Sequence, residues 1–217
     1  PYMFKDAVAF NQDLYSWNTS KVESMWSMFD GATSFNGNIS TWNTSSVTDM
    51  ESMFDNADAF NQPIEDLNIV NLLYMTCMFC SNDGFNQDLN DWDVSSIEDA
   101  SSMFYEATAF NGDMNNWHFD SALSTGATYM FYGATSFNGS VENWTFGPSA
   151  AYLSSLFYGA TNFNRDVSTW NVSGVQDIGH MFGFASSFNQ NLSLWDVSGV
   201  TSMRSVFDGA TSFNGDV

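Results

Sequence analysis

Apolar and polar positions recur along this chain in one fixed order, nine times over. The pair Phe-Asn stands at Phe10-Asn11, Phe35-Asn36, Phe60-Asn61, Phe85-Asn86, Phe110-Asn111, Phe137-Asn138, Phe163-Asn164, Phe188-Asn189 and Phe213-Asn214. The interval is 25 residues except for one of 27 and one of 26. Six residues before each pair is another Phe, from Phe4 to Phe207, and three after that Phe is Ala in every unit but one, where Asn82 replaces it. An aliphatic residue or Met follows four residues after the second Phe, from Leu14 to Val217. Three further on is Trp, at Trp17, Trp42, Trp92, Trp117, Trp144, Trp170 and Trp195, with Leu67 in the third unit.

Two local periods sit inside each unit. In Trp92-Asp93-Val94-Ser95 the apolar and polar residues alternate, which predicts a short half-buried strand. In Val47 to Phe54 the apolar residues Val47, Met50 and Met53 are three apart, which predicts a helical or 3₁₀ turn with one buried stripe. A unit of about 25 residues has too few large side chains to offset its own chain entropy, so the units must stack. The predicted fold is an α/β repeat solenoid of roughly 8–9 coils, each a short parallel β-strand plus a short helix or 3₁₀ turn. The Trp column and both Phe columns are expected in its core. The Asn of Phe-Asn (Asn11, Asn36, Asn61, Asn86, Asn111, Asn138, Asn164, Asn189, Asn214) is expected to form a buried ladder bonded to the backbone of adjacent coils. Residues 1–217 read as one array, and because both termini fall mid-repeat it is expected to be a segment of a longer one.

Composition narrows the function. There are 25 Asp and Glu against 4 Lys and Arg, a formal net charge of -21. Such a surface repels phosphate backbones and anionic lipid, so neither nucleic acid nor a membrane is an expected partner. No apolar run approaches the length of a bilayer span. No phosphate loop, nucleophile elbow or His-Glu-x-x-His helix is present, and the chain is not expected to be an enzyme. Cys77 and Cys80 read as two thiols or a local disulfide, without the setting of a redox motif or the partners of a zinc site. Seven Asn-x-Ser/Thr triplets, at Asn18, Asn38, Asn43, Asn138, Asn143, Asn171 and Asn191, are about what an Asn-, Ser- and Thr-rich chain carries by chance.

Candidate chemistry lies on the outward positions. Asn18, Asn43, Asp93, His118, Asn171 and Asp196 follow Trp and define a polar strand face that could grip a protein or glycan over several coils. Asp13, Asp88, Asp113 and Asp166 share one column, a candidate calcium site because hard cations take carboxylate oxygens. The units around His118–Tyr129 and Thr145–Tyr152 carry insertions, candidate binding loops.

The series Leu14, Trp17, Thr19, Val22, Met25, Met28-Phe29, Ala32, Phe35 resembles the repeat of the BspA-like leucine-rich repeat surface proteins. Phe188-Asn189-Gln190-Asn191-Leu192, Trp195-Asp196-Val197-Ser198-Gly199-Val200 and Met203 are similar to the Trp- and Phe-Asn-rich branch of that family. The resemblance implies a leucine-rich-repeat-like solenoid, placement on the cell surface, and adhesion to host or matrix proteins or to other cells; with the polar strand face, the expected function is extracellular recognition of a protein or glycan. The alternative is a structural protein, assembling with itself into fibres or a surface coat with calcium assistance.

Overall fold

In the computed structural model the described residues are 1–119, 123, 126–147 and 152–217. Each repeat lies against the next, and backbone hydrogen bonds join residues one repeat apart. Met50, Ser52, Phe54 and Asn56 donate to the carbonyls of Tyr74, Thr76, Met78 and Cys80 at 2.8–2.9 Å. The amides between them turn inward: Met53, Asp55 and Ala57 donate to Met50, Ser52 and Phe54, three residues back, at 3.1–3.3 Å. Each backbone donor thus has a partner, alternately in the next coil and in its own.

This segment is the one whose three-residue period predicts a helical turn, and it is not a helix. Ser52 and Asn56 have φ of 51° and 53°, left-handed values that interrupt any helical run. The period of three comes instead from consecutive β-turns, each of which delivers one side chain to the interior. No helix occurs among the described residues.

Parallel pairing is correspondingly sparse. β1 (His118–Phe119) and β2 (Thr145–Phe146) pair in parallel, His118 opposite Thr145 and Phe119 opposite Phe146. They directly follow Trp117 and Trp144, at the predicted strand position, in the two units that carry insertions. Beyond β2, in the same unit, Tyr152 starts a run of single parallel bridges through Asp177 and Ser202; in most other units such bridges form further along, through Ser24, Asp49, Tyr74 and Asp99. There the Trp is followed by a turn, as where the Val47 amide donates back to the Thr44 carbonyl, and no strand can extend.

The interior is a double column of phenylalanine rings. Within a repeat the two rings stack closely, as for Phe104–Phe110 at 3.8 Å between centroids and Phe131–Phe137 at 3.9 Å. Between repeats the first column continues through Phe79, Phe104, Phe131 and Phe157 at 5.5 Å per step. Trp42, Trp92, Trp117, Trp144 and Trp170 are buried, while Trp17 and Trp195 are partly buried against the same core. The Ala column is fully buried at Ala57, Ala107 and Ala134. Asn82 fits there because its side chain is fully engaged: Nδ2 donates to the Phe54 carbonyl, and Oδ1 accepts from the Gly84 and Phe85 amides.

Candidate recognition surface

The outward residues after Trp are all exposed: Asn18, Asn43, Asp93, His118, Asn171 and Asp196. Most are also bound to their own backbone. Oδ1 of Asn18, Asn43, Asp93, Asn171 and Asp196 accepts the amide of the residue two further on, at 3.0–3.2 Å. These are Asx-turns, which fix the exit of the chain from the Trp position. Where the residue two on is Ser20, Ser45 or Ser173, its hydroxyl also donates to that Oδ1, at 2.7 Å. Asn191 and Ser193 form the same pair. Several of the Asn-x-Ser triplets therefore have a local structural cause. His118 Nδ1 lies 3.1 Å from Thr145 Oγ1, across the β1–β2 pair. Hydrogen bonds from Ser95 and Ser198 hold the carboxyls of Asp93 and Asp196 below the usual range, so both are charged at neutral pH.

A second column lies beside it. Oδ1 of Asn11 accepts the amide of Asn36, and each Asn in turn accepts from the next, through Asn61, Asn86, Asn111, Asn138, Asn164 and Asn189 to Asn214. The bonds are 2.7–3.0 Å long. The ladder is not buried: apart from the half-buried Asn138 its members are exposed. It links neighbours at the surface, where the main chain lacks a direct bond.

The Asp column does the same work. The amides of Asn38, Asp113 and Ser140 donate to Oδ1 of Asp13, Asp88 and Asp113 at 2.8–2.9 Å; Asp166 differs, accepting the Ser168 amide within its own coil. The Ser140 amide, followed by its hydroxyl, lowers the Asp113 carboxyl below its usual range. An open depression of about 400 Å³ beside Asp88 is lined by Glu65, Gln87, Asp88, Asn90 and Asp91. Among the described residues, however, no three His, Cys, Asp or Glu side chains are placed to share a cation. The calcium expectation thus gains no geometric support, because these carboxylates are spaced along the stack and turned onto amides.

Cys77 and Cys80 form a disulfide that spans the turn closed by the Cys80 amide and the Cys77 carbonyl. Of the two insertions, residues 120–122, 124–125 and 148–151 lie outside the described residues.

The sequence reading missed an aromatic strip. Tyr105, Tyr132 and Tyr158 each follow the first Phe of a repeat, and their rings stack at 4.7 Å with interplanar angles of 5° and 8°. Tyr129 leans on Tyr132 at 6.0 Å, and Phe184 meets Tyr158 edge-on at 5.3 Å. The signal was present, three tyrosines in one column of consecutive repeats, but that column is too variable to stand out in a single sequence.

The stacked turns, the ring columns and the outward ladders define a tandem-repeat protein. Its sequence matches, over residues 1–57, 37–144 and 148–217, the family described as Mycoplasma protein of unknown function, DUF285. The chain belongs to that family. No curated protein matches it. Among the described residues no helix is long and apolar enough to cross a membrane.

Proposed function

We propose that the chain is a leucine-rich-repeat-like solenoid of the BspA-like type, displayed outside the cell or on its surface as a non-enzymatic recognition module. Its partner would be a protein or glycan, gripped through the polar column of Asn18, Asn43, Asp93, His118, Asn171 and Asp196. The observation that carries this reading is the state of that column. Every member is exposed, and Asx-turns or the β1–β2 pair hold most of them in one orientation, so little side-chain freedom is left to lose on contact. Repetition along the stack supplies avidity from weak single contacts.

The test uses beads coated with the chain and added to fixed animal cells. The reading expects saturable adhesion that soluble chain competes away. Replacing Asn18, Asn43 and Asn171 by Asp keeps the Oδ1 acceptor of each turn and removes the Nδ2 donor. Adhesion should then drop several-fold with the melting temperature little changed. Adhesion equal to that of bare beads would reject the reading.

A further inference from the structure

We infer that the aromatic strip of Tyr105, Tyr132, Tyr158, Tyr129 and Phe184 is a second docking surface, and that its occupant is an extended, arginine-bearing segment of a partner protein. The inference goes beyond the adhesion reading because it uses different columns, and it holds whether or not the polar column binds anything.

The fold does not require these rings. The column of Tyr105, Tyr132 and Tyr158 holds Lys5, Asp30, Asp55, Gly183 and Asp208 in other repeats, so packing accepts small, charged and absent side chains there. Tyr129 and Phe184 have φ of 58° and 54°, where other repeats place Ser155 or Ser205 and Gly159 or Gly209. A bulky aromatic residue in left-handed backbone is uncommon and costs stability. Yet both rings are largely in solvent, Tyr129 44% and Phe184 47% exposed, and recover little of that cost by burial. The neighbouring coil makes way for the strip as well. A Cβ on Gly183 would lie 2.7 Å from Tyr158 Cδ2, and one on Gly209 would lie 2.6 Å from Phe184 Cδ1.

The chemistry of the strip selects the occupant. Mutual stacking covers the faces of the inner tyrosine rings, so a sugar cannot lie flat on them. Tyr105 and Tyr132 are half-buried; burial, then the Glu106 carboxylate, disfavours ionisation of Tyr105, and burial, then Tyr158 and Glu106, that of Tyr132, so a carboxylate lies close to both hydroxyls. Tyr129 and Phe184, tilted from the stack, offer exposed ring surface. Ring faces, hydroxyl acceptors and a carboxylate together suit a guanidinium, which stacks on π-faces and donates in a planar fork. The chain offers few cations of its own here: the sequence holds no Lys or Arg between Lys21 and Arg165, Arg165 is engaged with the Asn138 carbonyl and Glu142, and His180 meets Tyr158 edge-on at 6.3 Å, with Arg204 in the coil beyond it. The acidic surface steers a guanidinium on another molecule to the strip.

The experiment measures binding of a fluorescent peptide of alternating Gly and Arg, and of the same peptide with each Arg replaced by neutral citrulline. The intact chain should bind the arginine peptide saturably and the citrulline peptide at least about tenfold more weakly. The double variant Tyr129→Ser and Phe184→Gly, which installs the residues other repeats carry, should lose about tenfold in affinity, the scale of one desolvated cation–π contact. Glu106→Gln, which keeps every ring, should lose a few-fold and guards against misfolding of the double variant. Glu65→Gln with Asp91→Asn, which removes charge away from the strip, should lose less than Glu106→Gln. Equal losses for the strip and the distant variants, equal binding of both peptides, or no saturable binding would each overturn the inference. Bead adhesion reports separately on the polar column.

Discussion

The indole Nε1 of Trp117 donates a 2.8 Å hydrogen bond to the carbonyl of Leu89, one repeat earlier and fully buried. The same bond recurs from Trp42 to Leu14, Trp92 to Ile64, Trp144 to Met114, Trp170 to Val141 and Trp195 to Val167. The Trp column therefore packs the core and also satisfies a backbone acceptor that the turn leaves open, which a Phe could not do. Trp117→Phe should cost about 1–3 kcal/mol, the range for leaving a buried polar group unpaired. Urea unfolding measures it, and a loss under about half a kcal/mol would mean that the bond contributes only packing.

The Asn ladder is exposed, and water can replace its bonds in part. Asn111→Ala removes the acceptor of the Asn138 amide and should cost about 0.5–1.5 kcal/mol. Asn111→Asp keeps that acceptor and should cost less, provided added salt screens the extra charge. Thermal melts of the two variants side by side decide the point. Equal losses would show that the amide group, not the Oδ1 acceptor, is what matters.

Close approach of coils fixes the glycine that follows Phe-Asn at Gly37, Gly112, Gly139 and Gly215. A Cβ on Gly112 would sit 2.2 Å from the Gln87 carbonyl oxygen and 2.9 Å from its carbon, both backbone atoms that cannot swing away. Gly112→Ala should destabilise by roughly 1–3 kcal/mol, as overpacking does. A neutral result in urea unfolding would mean that the stack opens readily at that step.

Two sets of carboxyls make stability depend on pH in opposite directions. Burial, then the neighbouring Asp30 carboxylate, pushes Asp55 up from 3.8 to about 6. The folded state thus binds that proton more tightly. Its contribution is complete below the unfolded value and is lost as pH rises through about 6. Asp93, Asp113, Asp166 and Asp196 are lowered by hydrogen bonds, so their contribution is present above the usual carboxylate value and disappears as pH falls through the lowered one. Asp55→Asn should flatten the fall in melting temperature between about pH 4.5 and 7.5 and raise stability at the upper end, modestly because the side chain is only half-buried. An unchanged slope would assign the effect to other groups.

The register of the stack was legible in the sequence because every coil must bring the same residues to the same core, and Phe, Ala, Trp and Asn do so with little substitution. The conformation inside a coil was less legible. Val47, Met50 and Met53 carry a spacing of three that a helix and a chain of β-turns share, and the left-handed residues that separate the two, Ser52 and Asn56, are types common in either. The Trp117–Leu89 bond was hidden because a core Trp needs no further reason to be apolar. Of the outward columns, Asn18 and its equivalents are visible by alternation, but their Asx-turns are not, because in an Asn-, Ser- and Thr-rich chain the Asn-x-Ser spacing also arises by chance. Tyr105, Tyr132 and Tyr158 were hidden because nothing in the core depends on them.

The central claim is that this stack presents its columns to a foreign partner and not to copies of itself. Sedimentation velocity over a wide range of protein concentration, with calcium and with chelator, tests it most directly. The account predicts one monomeric boundary under every condition. Large species that grow with concentration would contradict it and make the chain a building block of a fibre or coat. Loss of those species in chelator would restore the Asp13, Asp88, Asp113 and Asp166 column as a cation site.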